Sequence, residues 1–132
     1  MRILKNKKQK GTNAERELIN KFWDNKFAAI RVAGSGSTKF PAPDILAGNS
    51  LKKIALEIKV VNKTKKYFTK KEINELEIFS KKFGCESWIG IRFIERQWFF
   101  LPTSELKKTN LNFTIDLISM KRKGFTFKEM IL

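Results

Sequence analysis

The fold of this 132-residue chain is decided by residues 43–61, which read PDILAGNSLKKIALEIKVV. Two apolar runs in this stretch lie on either side of a Gly-Asn-Ser turn at residues 48–50. Such a pattern is typical of a β-hairpin, so we predict a short strand at 44–47 and a longer strand at 54–61. The stretch therefore predicts two neighbouring antiparallel strands.

The charged residues of this hairpin are expected on one face. Glu57 and Lys59 share a face because alternate residues of a strand point the same way. A turn centred at 50–51 pairs Asp44 with Glu57, and a turn one residue earlier places Asp44 diagonal to it. Either register leaves their Cβ atoms about 5 to 8 Å apart. A one-residue slip would instead move Ile45 to the charged face, so the apolar pattern opposes it.

Two carboxylates this close repel each other unless a cation lies between them. Oxygen ligands suit Mg²⁺, with Mn²⁺ as a possible substitute, and such a cation assists phosphoryl transfer. We expect Asp44 and Glu57 to hold the metal and Glu15 to complete the site. Lys59 could orient or deprotonate the attacking water, or stabilise the developing negative charge.

Each of these residues also has an ordinary structural explanation. Glu15 fits a helix capping box with Thr12, and Asp44 follows a proline and fits a turn. Glu57 and Lys59 fit an ion pair on a solvated strand face. The combination of these residues in one basic chain, and no single residue, favours a nuclease.

Residues 33–38 form a small-residue loop, Ala-Gly-Ser-Gly-Ser-Thr. Ser35 could add a hydroxyl to the site, with Ser37 as a second choice. The loop lacks the Lys-Ser/Thr ending of a phosphate-binding P-loop, so nucleotide binding is not expected.

The composition limits the chemistry. The net charge is +15, from 28 Lys and Arg against 13 Asp and Glu, which indicates a polyanionic partner, nucleic acid first. Histidine is absent and Cys85 is the only cysteine, which excludes histidine-based catalysis and a cysteine zinc site. No apolar run approaches the roughly 20 residues of a membrane span, and no secretory signal is apparent. We expect a cytoplasmic protein that does not enter the membrane.

The remaining elements follow from periodicity and caps. We predict a flexible basic arm at 1–10 and one domain at 11–132, whose first helix begins near Thr12. The second helix begins at a capping box, Thr69 to Glu72, and ends at a C′ glycine. Its predicted buried stripe is Ile73, Leu76, Phe79 and Phe83. Further strands are expected at 27–32, 88–94 and 97–101, a basic loop at 62–66, and short helical pieces at 104–108 and 126–130.

This order, α-β-β-β-α-β-β, predicts an α/β fold with a mixed five-stranded sheet flanked by helices. The chain resembles restriction-endonuclease-like nucleases and, within them, archaeal Holliday junction resolvases of the Hjc type. The resemblance covers roughly residues 8–101. It rests on Lys10-Gly11-x-x-x-Glu15-Arg16-Glu17-Leu18-Ile19, Phe27-Ala28-x-x-Arg31, Gly34-Ser35-Gly36-Ser37, Pro43-Asp44-Ile45, Leu56-Glu57-Ile58-Lys59, Tyr67 and Phe79-Ser80-x-x-Phe83-Gly84.

The resemblance implies a homodimer that binds a four-way DNA junction and nicks two opposing strands with Mg²⁺. By position, the catalytic residues would be Glu15, Ser35, Asp44, Glu57 and Lys59. Ile78 and Phe79 are candidates for the dimer surface, although Phe79 also fits the core. The DNA contacts expected from charge or resemblance are Lys5, Lys7, Lys8, Lys10, Arg16, Arg31, Lys39, Lys63, Lys65 and Lys66.

Two other functions fit the same residues. A nuclease of the same fold could cut duplex, flap or damaged DNA, and a basic protein could bind DNA without cutting it.

Overall fold

The computed structural model describes residues 2–34, 39–93, 97–108 and 112–132. These ranges contain four α-helices and eight β-strands, with a short 3-10 helix at Thr103–Glu105. The elements are α1 (Arg2–Asp24), β1 (Ala28–Arg31), β2 (Ile45–Gly48), β3 (Lys53–Val60), β4 (Lys65–Thr69), α2 (Lys70–Phe83), β5 (Glu86–Arg92), β6 (Trp98–Pro102), β7 (Lys107–Lys108), β8 (Asn112–Asp116), α3 (Leu117–Lys123) and α4 (Phe127–Met130).

The main sheet has five strands in the order β1-β2-β3-β5-β6. β3 and β5 are parallel, and the other neighbours are antiparallel. The parallel pair requires a crossover connection, which contains β4 and α2. The predicted mixed five-stranded sheet flanked by helices is confirmed.

The hairpin of β2 and β3 adopts one of the two predicted registers. Ile45 pairs with Leu56, so Asp44 falls opposite Glu57 along the same antiparallel alignment. Ile45 and Leu56 are both fully buried, as expected if burial of apolar side chains selects the register.

Apolar side chains cover both faces of β3, which explains its nearly continuous apolar sequence. On one face, Leu56 packs in a cluster with Leu18 and Phe22 of α1. On the other face, Ala55 packs in a cluster with Ile73 of α2. Glu57 and Lys59 alternate with the residues facing α1 and lie on the side of α2, because Lys59 forms an ion pair with Glu72 of that helix.

The structure corrects the predicted start of the first helix. α1 begins at Arg2, so the capping box at Thr12 does not mark its N-terminus, and residues 2–10, predicted as a flexible arm, lie within the helix. The end of α2 is as predicted: Gly84 adopts a left-handed conformation with φ 83° and its N–H donates to the Ser80 carbonyl. Phe83 is 49% exposed, so its predicted burial is wrong.

The small second sheet was not predicted. It contains β4, β8 and β7 in that order. Lys65 and Lys66 belong to β4, so the basic loop predicted at 62–66 is only partly a loop. The helical piece predicted at 104–108 is replaced by the 3-10 helix and β7, whereas that at 126–130 is confirmed by α4. In the ranges given above, no helix has the length and hydropathy needed to cross a bilayer.

Substitution of Gly90 tests how tightly the centre of the sheet is packed. A Cβ at this position would lie 2.8 Å from Cε1 of Phe100, whose buried ring contacts Trp98 and Phe127. We expect Gly90→Ala to lower the free energy of unfolding by about 1–3 kcal/mol through overpacking.

Gly11→Ala is the matched control, because a Cβ at this helical glycine meets no atom within 4 Å. It should instead stabilise α1 by about 0.5–1 kcal/mol. Denaturant unfolding of both variants measures these changes. Equal stabilities for the two would contradict the close packing of Gly90.

Candidate active site

The candidate site lies where the start of β2 meets the end of β3. The Asp44 N–H donates to the Leu56 carbonyl at 3.1 Å, and the Ile58 N–H donates to Asp44 Oδ2 at 3.0 Å. These two bonds on opposite sides of Glu57 hold the Asp44 carboxylate against β3. The structure thus brings Asp44 and Glu57 together, as the hairpin pattern predicts.

The electrostatics of this pair are unusual. Burial raises the pKa of Glu57 to about 8, with repulsion from Asp44 adding to the shift and Lys59 opposing it. A side-chain hydrogen bond to Asp44 also raises the pKa of Glu57, and two carboxyl groups can share such a bond only if one carries a proton. Glu57 of the metal-free protein therefore keeps its proton to a higher pH than an exposed glutamate does.

Lys59 extends from the same face of β3, two residues beyond Glu57. Its Nζ lies 3.4 Å from Glu72 Oε2 at the start of α2. Both side chains remain about one-third exposed, at 31% for Lys59 and 34% for Glu72. The ammonium is therefore held beside the carboxylate pair with partial access to solvent.

Glu15 lies on the α1 side of this end of the sheet. Arg31 Nε donates to Glu15 Oε1 at 2.6 Å, and the Glu15 side chain is only 17% exposed. Burial raises the pKa of Glu15, Arg31 opposes the shift through a hydrogen bond, and Asp44 adds to it by repulsion. Glu15 is thus close enough to Asp44 to repel it, but it faces an arginine.

The donor set fits one hard divalent cation. A cation could replace the proton shared by Asp44 and Glu57, because both offer the carboxylate oxygens that Mg²⁺ or Mn²⁺ prefer. Among the residues that the structure describes, no three acidic, Cys or His side chains form a metal-binding group. The predicted third contribution, from Glu15, is thus not assembled in this conformation. Mg²⁺ commonly takes only one or two protein carboxylates, with water and phosphate completing its shell.

The predicted DNA-contacting residues have different surroundings. Arg16, Lys39, Lys63 and Lys65 are exposed, Lys66 is partly buried, and Arg31 is engaged by Glu15. Lys5, Lys7, Lys8 and Lys10 belong to α1, but their side chains lie outside the described structure, and so do the predicted loop residues Ser35 and Ser37. Their roles stay predictions.

The predicted dimer residues lie on α2. Ile78 is 38% exposed, and Phe79 is partly buried against the core. The Phe79 ring stacks on Phe83, with centroids 5.4 Å apart. Ile78 and Phe83 therefore present apolar surface on the outside of this helix.

The sequence analysis missed one residue at the site, Glu72, and a set of long-range contacts around Arg92. Glu72 was assigned only to a helix cap, so its ion pair with Lys59 was not foreseen. Arg92 pairs with Val60 across the sheet and lies 5.2 Å from the Trp98 ring. The Glu17 carboxylate contacts both Arg92 and Trp98. It accepts a hydrogen bond from Trp98 Nε1 at 2.6 Å and one from Arg92 at 3.5 Å. No local sequence signal indicates contacts that span so much of the chain.

Comparison with known proteins connects this site to a family. A family model described as "Archaeal holliday junction resolvase (hjc)" matches residues 6–132. A relative from Archaeoglobus fulgidus, named crossover junction endodeoxyribonuclease Hjc, is 41% identical over 109 residues, covering 83% of this chain and 80% of the relative. One of the same name from Sulfolobus acidocaldarius is 35% identical over 127 residues, covering 94% and 87%.

A solved structure gives the same result for the fold. The structure of Archaeoglobus fulgidus Hjc, described as a Holliday junction resolvase from an archaeal hyperthermophile, superposes with a TM-score of 0.84 and 37% sequence identity. The match covers 90% of this chain and 96% of that one.

The raised pKa of Glu57 predicts a pH-dependent stability for the metal-free protein. Between pH 4.5, the ordinary value, and about 8, the folded state binds more protons than the unfolded state, so the free energy of unfolding should fall as pH rises. Glu57→Gln keeps a neutral side chain and should remove this loss, a gain on the order of 1–3 kcal/mol at pH 8.

Denaturant unfolding at pH 5 and pH 8 in the presence of a chelator measures this effect. Glu105→Gln, which changes an exposed carboxylate, is the control and should keep the pH dependence of the wild type. If Glu57→Gln also kept it, the buried carboxyl pair would not be its source.

Proposed function

The chain belongs to the archaeal Holliday junction resolvase family, Hjc, and from this premise we propose that it cuts four-way DNA junctions as a homodimer, using Mg²⁺ at Asp44 and Glu57. It is a crossover junction endodeoxyribonuclease, since relatives of that name match most of its length. Such an enzyme is metal-dependent. We further propose that the enzyme acts in the cytoplasm, either of an archaeal cell or of the archaeal host of a virus.

The observation that carries the proposal is the carboxyl pair itself. Asp44, the residue before β2, falls opposite Glu57 of β3 when the pairing of Ile45 with Leu56 is extended by one residue, and burial together with repulsion from Asp44 raises the pKa of Glu57 to about 8. Such a pair is costly to ionise without a counter-charge. A divalent cation supplies that charge and, when bound, helps neutralise a scissile phosphate and activate a water.

The chain's own residues supply the rest of the chemistry. In hydrolysis, a water oxygen bonds to phosphorus, the phosphorus–oxygen bond to one sugar breaks, and the departing sugar oxygen takes a proton. Lys59, on the same strand face as Glu57, would orient or deprotonate the water or stabilise the charge on the phosphate. Glu15, beside Asp44, remains a candidate acidic residue, and Ser35 a candidate hydroxyl.

The basic character of the chain supports binding to the DNA backbone. A net charge of +15 favours phosphate contacts, which position DNA without reading its sequence. Exposed Arg16, Lys39, Lys63 and Lys65, together with Arg31, are the candidates for these contacts. Recognition would then depend on the shape of the branched DNA.

The homodimer is supported by symmetry and by the outer face of α2. A four-way junction offers two equivalent strands, which a two-fold symmetric dimer can cut symmetrically. Ile78 and Phe83 are large apolar side chains exposed at 38% and 49%, and Phe83 stacks on Phe79. A second copy packed there would remove this apolar surface from water.

Cleavage of synthetic junctions tests the proposed activity. The wild type should cut a four-way junction with Mg²⁺, and a linear duplex of the same sequence much more slowly. Glu57→Gln and Lys59→Ala should bind the junction yet lose activity by at least about 10²-fold, because each removes a group that acts in the reaction.

Lys53→Ala is the matched control, because Lys53 is an exposed lysine at the other end of β3. It removes the same charge roughly 20 Å from Lys59 at the usual rise per residue of a strand, and cutting should persist. Preference for the duplex would exclude junction resolution, and full activity of Lys59→Ala would remove Lys59 from the site.

Ile78→Asp tests the dimer surface. A charge buried in an apolar interface is costly, so this variant should weaken the dimer by at least about 10-fold, corresponding to roughly 1.4 kcal/mol. Sedimentation velocity across a concentration series measures the change. Ile118→Asp, at a position 78% exposed on α3, is the control, and an unchanged dimer in both variants would place the interface elsewhere.

A further inference from the structure

The pattern Thr-x-x-Glu occurs at residues 69–72 and 126–129, at the starts of α2 and α4. In α4 it forms a complete capping box, in which Thr126 accepts from the Glu129 N–H and Glu129 accepts from the Thr126 N–H. In the described cap of α2, Thr69 accepts from the Glu72 N–H, and the Glu72 carboxylate contacts the Thr69 hydroxyl and the ammonium of Lys59. The same motif thus has a different outcome beside the candidate active site.

The Glu72 carboxylate is held by two different groups. Oε1 accepts a hydrogen bond from the Thr69 hydroxyl at 3.3 Å, which fixes the orientation of the group. Oε2 lies 3.4 Å from Lys59 Nζ. This oxygen is buried and has no hydrogen-bond partner among the described residues, so the nearby ammonium of Lys59 offsets its charge.

The position of Glu72 is determined by the fold. Thr69 ends β4, where it pairs with Asn112, and α2 begins at the next residue. Ile73, next to Glu72, is buried in the core. These neighbours fix the backbone of Glu72 beside the site. The Glu72 carboxylate also lies close enough to the carboxylate pair to raise the pKa of Glu57 by repulsion.

Lys59, by contrast, has a long side chain that needs a partner to stay in one place. A lysine has many accessible rotamers, and restricting them costs entropy. A catalytic ammonium must nevertheless be placed within a fraction of an ångström to be effective. A carboxylate with one buried oxygen, Oε2, and the other oriented by the Thr69 hydroxyl is suited to this task.

We propose that Glu72 is a positioning residue, which holds the Lys59 ammonium beside Asp44 and Glu57 in readiness for the scissile phosphate. This inference rests on the proposed function, because it assigns Lys59 to the reaction. Glu72 acts through Lys59 and does not itself contact substrate. In the Thr-x-x-Glu motif of α2, the backbone N–H of Glu72 thus helps cap the helix, and the carboxylate of Glu72 holds Lys59 at the active site.

Single-turnover cleavage of a synthetic four-way junction with Mg²⁺, measured beside the junction dissociation constant, tests the proposal. Glu72→Ala should lower the cleavage rate by about 10-fold or more, while the affinity for the junction stays equal to or above that of the wild type. Glu72→Gln keeps the length and an acceptor oxygen, so its rate should lie between those of the wild type and Glu72→Ala.

Glu75→Ala and Glu75→Gln are the matched controls, because Glu75 lies on the same helix and loses the same charge. Both should cut at the wild-type rate. Thermal unfolding shows whether each variant is folded. If Glu72→Ala does not fold, the test rests on Glu72→Gln. Its cleavage rate should be at least about 3-fold lower than that of Glu75→Gln, because an amide attracts the Lys59 ammonium less than a carboxylate does.

The outcomes separate the two proposals. A wild type that does not cut the junction would overturn the proposed function, and the role of Glu72 with it. A wild type that cuts, with Glu72 variants as active as their Glu75 controls, would overturn only the role of Glu72. A slower rate explained by an equal loss of junction affinity would also contradict positioning, because Glu72 would then affect binding and not the step that follows.

Discussion

The pairing of Ile45 with Leu56 is the contact on which the candidate active site depends. Both side chains are fully buried, so any slip of one residue would expose them and bury charges in their place. The same alignment puts Asp44 opposite Glu57. Burial of the two apolar side chains thus offsets the electrostatic repulsion between the two acidic groups that this register brings together. The acidic pair persists because packing of the sheet stabilises the fold by more than the repulsion between the two carboxyl groups destabilises it.

The carboxylates near this pair stand out in a chain that is basic overall. Basic residues exceed acidic residues by 15 over the whole chain, yet carboxylates gather at the end of β3, where each has a defined partner. Glu15 is held by Arg31, Asp44 accepts from the Ile58 N–H, and Lys59 lies beside Glu72. The chain thus combines an overall excess of basic residues, as expected for a protein that binds the DNA backbone, with a local group of carboxylates of the kind that suits a cation.

One motif has different uses in different tertiary settings. Thr126 and Glu129 form the complete capping box that the sequence pattern indicates. Glu72 has the same local pattern, but its carboxylate is directed to Lys59 of the neighbouring strand. Glu15 also follows a Thr by three residues, but α1 begins at Arg2 and its carboxylate faces Arg31. Local sequence indicates the helical position of each glutamate, and the neighbouring element decides what its carboxylate does.

The sequence by itself determined the strands of the five-stranded sheet, the face of the hairpin on which Asp44 lies, and the shared face of Glu57 and Lys59, because alternation and apolar runs act between near neighbours along the chain. It left two hairpin registers open, and the structure selects the one that pairs Ile45 with Leu56. The sequence could not determine the second sheet, since β4 pairs with β8 from far along the chain and both strands are short. Only the tertiary structure decided that Glu15 faces Arg31, that Glu72 reaches Lys59 and that Phe83 stays exposed. Those outcomes depend on the packing of elements distant in sequence, where burial and charge compete and no local pattern records the result.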